Sequence, residues 1–81
     1  MNNASSLSEL RTGATAVVHS LEGGHTFRSR LAALGFTPGV EIKMVQNTGH
    51  GPVIVTLRDT RIALGRGEAS RVLITPPGGN A

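Results

Sequence analysis

Three histidines, His19, His25 and His50, are the side chains best suited to bind a metal ion or to move a proton near neutral pH. Glu22 lies between the first two. A loop folding back on itself there would bring two imidazole nitrogens and a carboxylate together. No pair of histidines has the i, i+3 or i+4 spacing that places two ligands on one helix face, and the chain has no cysteine to add a thiolate. Solvated loop histidines are the plain alternative. Gly23-Gly24-His25-Thr26-Phe27-Arg28-Ser29 has the glycines of a phosphate loop but lacks the closing Gly-Lys-Ser/Thr, so turn formation explains it better. Glu22 and Glu41 sit among polar residues that would not enforce a buried carboxylate pair. No catalytic constellation emerges, and the expected role is not that of an enzyme.

Arginine is the more informative residue type, supplying seven of the eight basic side chains. Arg28 and Arg30 decorate a helical stretch, Arg58 and Arg61 flank a tight turn, and Arg66 and Arg71 bracket the last break before the C-terminal strand. Arginine suits interfaces because its planar fork gives paired hydrogen bonds and flat stacking. A solvated face is the plain reading of any one of them. The net charge of +3 is modest. A small nucleic-acid-binding barrel is one alternative, but such surfaces use stacking aromatics, and Phe27 and Phe36 are the only aromatics here. No nucleic-acid partner is therefore expected. Phe36 has two readings, a buried staple behind the helix or a partly exposed anchor for a partner.

The elements that must position these residues are short. Eighty-one residues make one domain, whose folding buries only about 60% of the unfolded chain's surface. A catalytic cavity would compete with that core for volume. No apolar run approaches the ~20 residues of a membrane span, and the N-terminus lacks the order of a signal peptide, so a cytoplasmic setting is expected. Residues 1–6 read as flexible, 7–75 as the folded domain and 76–81 as a loose tail. Ser6-Leu7-Ser8-Glu9 has capping-box spacing and predicts one helical turn. Ala14 to Leu21 predicts a strand. Phe27, Leu31 and Leu34 form a helical stripe, with Thr26 as its cap and Gly35 as its left-handed stop. Thr37-Pro38-Gly39-Val40 predicts a type II turn. Beyond it Val40, Ile42 and Met44 alternate with polar residues, as do Val53, Val55 and Leu57, then Ile62 and Leu64, then Val72 and Ile74. The fold class is mainly β: a small antiparallel barrel or strongly bent sheet of about five strands, with one short helix between the first and second.

Arg30-Leu31-Ala32-Ala33-Leu34-Gly35-Phe36-Thr37-Pro38-Gly39-Val40-Glu41-Ile42 resembles the helix-to-strand signature of the FeoA family. Gly51-Pro52-Val53-Ile54-Val55 and Arg61-Ile62-Ala63-Leu64-Gly65-Arg66-Gly67-Glu68-Ala69 resemble its later strands, and Leu7-Ser8-Glu9-Leu10 followed by Gly13 fits its opening. The resemblance runs from Leu7 to Ile74. It implies an SH3-like β-barrel that accompanies FeoB, the membrane ferrous-iron transporter with a GTP-binding cytosolic part, as a non-catalytic accessory protein. It also implies a place in the cytoplasm, peripheral at the inner membrane through the transporter. On this reading the helix, its following turn and nearby arginines face the partner: Arg28, Arg30, Leu34, Phe36 and Arg61, with Gly35, Pro38 and Gly39 shaping the turn. No resident cofactor is expected. Weak Fe2+ or Zn2+ association, or a metal sensor using His19, Glu22 or His25, is the open metal alternative. A homo-oligomer is open too, because an uncovered strand edge can pair with a copy of itself. Two departures mark one edge: Asp59 stands where the family's hairpin usually has glycine, and Gly65 where a basic residue is common.

Overall fold

A computed structural model describes residues 5–76. The strands are β1 (Ser5–Ser6), β2 (Thr15–Leu21), β3 (Glu41–Gln46), β4 (Val53–Leu57), β5 (Thr60–Leu64) and β6 (Val72–Thr75). Between them lie a 3-10 turn (Leu7–Glu9), helix α1 (His25–Ala33) and helix α2 (Arg66–Ala69). The strands form one antiparallel sheet in the order β1-β6-β2-β3-β4-β5. Five of the six match the expected strands; β1 is additional. Ser5 pairs with Ile74 and Ser6 with Leu73, so these residues are a short strand and not part of a flexible N-terminus. Residues 1–4 and the expected tail from Pro77 onward lie outside the described residues. The sheet bends strongly but its ladder does not close: among the described residues β1 and β5 are its two ends and do not pair.

One face of this sheet makes the core. Ala16 and Val18, Ile42 and Met44, then Val53, Val55 and Leu57, then Leu64, then Val72 and Ile74 point inward at the period of two that a pleated strand imposes. On β2 this places Ala16 inward and leaves Val17 and Leu21 half-buried. Register shifts at Val18/Ser20 and Met44/Gln46 help the sheet curl. Leu7, Leu31, Phe36 and Ala69 fill the core from the helices and turns. Among the described residues no polar side chain is buried.

The C-terminal end of α1 is closed by its own backbone. Gly35 N–H donates to Ala32 C=O at 2.9 Å and Phe36 N–H to Leu31 C=O at 3.0 Å. These are the paired bonds of a Schellman motif, and its apolar contact is supplied by Leu31 and Phe36, both fully buried. Gly35 has φ +109°, and a Cβ there would stand 2.7 Å from Leu57 Cδ2. Val40 N–H then donates to Thr37 C=O at 3.1 Å across Pro38-Gly39, with Gly39 at φ +92°, the expected type II turn. The start of α1 differs from expectation. Gly24 is the N-cap and no side chain caps it, so Thr26 lies inside the first turn. The Ser6 capping box does not form either; Ser6 Oγ bonds Ser8 Oγ at 2.7 Å instead.

A polar network ties the segments between strands. Asn47 Nδ2 donates to the carbonyls of Ser8 at 3.0 Å and Leu10 at 2.8 Å. Its backbone N–H donates to Thr12 Oγ1 at 2.9 Å. Arg66 donates from Nε to Gly51 C=O at 3.2 Å, from Nη1 to Ser8 C=O at 3.1 Å, and from Nη2 to Asn47 Oδ1.

Gly35→Ala is expected to cost about 3 kcal/mol, combining positive-φ strain with the clash against Leu57; urea unfolding measures it. The β4–β5 hairpin turns on Arg58 and Asp59 at φ 52° and 66°. This is the left-handed pair of a type I′ turn, in which glycine is favoured. Asp59→Gly should therefore stabilise the fold by up to about 1 kcal/mol in the same assay.

Candidate functional site

Helix α1 carries most of the candidate surface, and its packing decides which side chains remain available. Leu31 is fully buried and Phe27 is packed partly against the core. Leu34, the third member of the expected stripe, is 44% exposed and is the only exposed large hydrophobic among the described residues. The Schellman closure explains this. The chain leaves the helix at Gly35 and sends Phe36, not Leu34, into the core.

That burial also corrects the reading of Phe36 as a partner contact. At 0% exposure it is the staple and has no surface to offer. Helix geometry separates the two arginines. Arg30 and Leu34 are neighbours one turn apart on one flank of the Leu31 line, and Arg28 lies across it on the other. Arg28 is exposed. Arg30 is 57% exposed in its side chain but already engaged: its Nη2 donates to Glu68 Oε2. Gly65 N–H donates to the other oxygen of Glu68 at 3.1 Å. The Arg30 hydrogen bond, and after it the Gly65 N–H, hold the Glu68 carboxyl below its ordinary pKa. Arg30 thus braces α1 against α2. At the other end of α1 the Arg71 guanidinium sits 5.5 Å over the Phe27 ring, a cation–π contact.

Arg61 belongs to a different surface, on β5, opposite Thr56 of β4. The histidines stand on separate elements, none of them on β5, with His50 in the segment between β3 and β4. His19 is exposed on β2, and His25 opens α1 with Nε2 3.4 Å from Ser29 Oγ. Among the described residues no group of three or more His, Cys, Asp or Glu stands where it could hold a metal ion. An open groove of about 250 Å³ is lined by Leu10, Ala16, Ile74 and Pro76 with the small hydroxyls of Ser5, Thr15 and Thr75. Its walls carry no titratable side chain. Among the described residues no helix is long and apolar enough to cross a membrane.

Two residues that matter to this geometry carried little weight in the sequence. Glu68 had a signal, since Gly65-x-x-Glu68 has the spacing of half a capping box. Asn47 also had one: with Gly49 two residues on, it forms an Asx turn, Gly49 N–H donating to Asn47 Oδ1 at 3.1 Å.

The FeoA domain family model matches residues 5–76. A crystal structure described as the iron uptake regulatory protein FeoA is 35% identical, with TM-score 0.84, covering 89% of this chain and 96% of that one. The FeoA of Stenotrophomonas maltophilia, solved as a zinc complex and described as a prokaryotic SH3 domain protein, is 39% identical with TM-score 0.77, over 85% of this chain and 87% of its own. The bent antiparallel sheet with its single long helix is accordingly SH3-like. A protein of Porphyromonas gingivalis described as a fusion of Fe(2+) transport protein A with the Fe(2+) transporter FeoB is 36% identical over 93% of this chain. This chain spans 9% of that relative's length.

The Glu68 geometry makes stability pH-dependent in a defined direction. Its folded pKa is depressed, so its stabilising contribution is full above the ordinary carboxylate range and is lost as pH falls through the folded value. The guanidinium keeps its charge throughout. The difference in urea midpoint between the parent and Glu68→Gln should be largest near neutral pH and should shrink to nothing in strong acid.

Proposed function

This chain belongs to the FeoA family, and we propose that it is a non-catalytic accessory protein of ferrous-iron uptake that binds the cytosolic part of a FeoB-type transporter. The observation that carries this reading is the Porphyromonas gingivalis relative, in which the two proteins are one polypeptide and so work side by side. Ferrous iron is then the transporter's cargo, not a resident ligand of this chain. The transporter's GTP-binding domain is the natural partner, and it places this chain at the cytosolic face of the membrane.

The geometry supports a binding role. Most of the apolar side chains are spent on the core. Leu34 is the exception, standing exposed beside Arg30 on a helix whose ends are held by the Schellman motif, the Arg30–Glu68 pair and the Arg71–Phe27 contact. A rigid helix flank with an apolar centre and a basic rim is the ordinary anatomy of a protein interface. Burying the remainder of Leu34 would contribute about 1 kcal/mol, and exposed Arg28 would act chiefly on the rate of encounter.

Calorimetric titration against the cytosolic domain of FeoB tests this. Leu34→Asp should weaken binding at least tenfold with the fold intact by circular dichroism. In stopped-flow mixing of the same pair, Arg28→Glu should slow association and flatten its salt dependence. Leu34→Asp probes the Arg30 flank of α1 and Arg28→Glu the opposite one, so unchanged binding in both variants would exclude the exposed surface of α1 as the contact.

A further inference from the structure

Strand β5 is covered by β4 on one side only; among the described residues no strand pairs with its other side. The register identifies which of its groups are free. Leu57 and Thr60 flank the two-residue turn and are partners, so they exchange the bonds that close the hairpin. Alternation then commits the backbone groups of Thr60, Ile62 and Leu64 to β4 and turns those of Arg61 and Ala63 outward. Outward N–H and C=O groups on an edge are a template for another strand.

The side chains next to that edge select the charge of its occupant. Lys43 pairs with Thr56 and Thr56 with Arg61, so the three stand in one row across β3, β4 and β5. The neighbouring row is Met44, Val55 and Ile62, of which Met44 and Val55 are fully buried and Ile62 packs on the core. The Lys43–Thr56–Arg61 row therefore lies on the outer face, with two exposed basic residues whose backbones are about 10 Å apart and a hydroxyl-bearing residue between them. Neither cation is in an ion pair; the Arg30–Glu68 bridge is the one found among the described residues. The nearest acids in the strand pattern, Glu41 and Asp59, lie toward the turn end of the hairpin. Ala63, also exposed, follows Arg61 on the same face and leaves room for a larger side chain on an incoming strand.

We infer that β5 is a docking edge for an extended acidic peptide segment of a partner protein. The segment adds as a further strand, bonds to the backbone of Arg61 and Ala63, and sets a carboxylate against Arg61. Lys43 strengthens the same positive field from two strands away. A second copy of this chain fits less well. With the two-fold axis at Arg61 or at Ile62 the two Arg61 side chains meet within roughly 8 Å, opposite or diagonal, and with the axis at Ala63 only Ile62 to Leu64 of each strand would pair before β5 ends. This edge is distinct from the α1 flank and stands whether or not the transporter is the partner.

The test uses the full chain and a fluorescently labelled, end-blocked ten-residue peptide of alternating glutamate and valine, with a lysine–valine peptide as control. Anisotropy should show binding of the acidic peptide alone, weakening as salt rises, and hydrogen exchange should slow at the amides of Arg61 and Ala63. Arg61→Glu should weaken binding at least tenfold. Ala63→Pro removes an outward N–H without touching the β4 ladder and should weaken it similarly. Equal binding of both peptides, equal binding by both variants, or no binding at millimolar peptide would overturn the proposal. So would protection of Arg61 and Ala63 that grows with protein concentration without peptide, since a second copy would then hold the edge.

Discussion

Arg66 donates from three nitrogens to Gly51, Ser8 and Asn47, and none of these residues lies in a strand. The sheet's two ends, β1 and β5, do not pair with each other. What keeps the N-terminal turn, the β3–β4 loop and the start of α2 together is this guanidinium and the Asn47 amide it meets. The arrangement suits arginine in particular. A planar fork with five donors spans three acceptors at fixed angles, which a lysine ammonium does not reproduce. The network is only partly buried, so water screens it, yet each acceptor is a neutral oxygen that needs a donor. Its value lies in geometry: it fixes where the 3-10 turn sits, and that turn places Leu7, fully buried, into the core.

The helix shows the same economy. A nine-residue helix is too short to be stable by propensity alone, so tertiary contacts must hold it. One fully buried leucine would be a thin anchor. The structure adds the Leu31–Phe36 contact behind Gly35, the Glu68 brace and the Arg71 cap over Phe27. Fixing the helix through its ends and rim leaves its outer flank free. Leu34 lies on that flank because the chain turns at Gly35 and sends Phe36 inward in its stead.

How much of this was legible in the sequence follows the range of each interaction. The strand alternations, the Gly35 stop and the Thr37–Val40 turn were readable because each depends on residues within a few positions. Those elements gave a small antiparallel barrel or bent sheet, and the SH3-like class followed from the FeoA resemblance alone. The two-residue β1 was not readable, since alternation needs a longer run and Ser5-Ser6 is defined only by pairing with Leu73 and Ile74. The stripe Phe27–Leu31–Leu34 misled at its last member because a C-terminal Schellman turn, not helical period, decides where the chain goes next. Thr26 misled as a cap because the helix begins before it, at His25 behind Gly24, and Ser6 because its hydroxyl bonds Ser8 instead. The Arg30–Glu68 pair spans 38 residues and Asn47 reaches back 37 to Leu10. Such contacts have no local signature. At the candidate site, Arg28 and Leu34 were identified from sequence and stay accessible, whereas Phe36 could be assigned to the interior only once the backbone was drawn.

The pairing of Ser5 with Ile74 sets the first and last strands of the domain side by side, a single hydrogen-bonded step apart. Polypeptide arriving at one and departing from the other passes through the same doorway. Such a module can be threaded into a longer gene product as a bead on a string, without prying apart what lies before and after it. Joining β1 to β6 with a short linker and reopening the chain elsewhere would leave the layers of the molecule where they are. A protein with this layout can move between life as a separate partner and life as a tethered one without redesigning its interior.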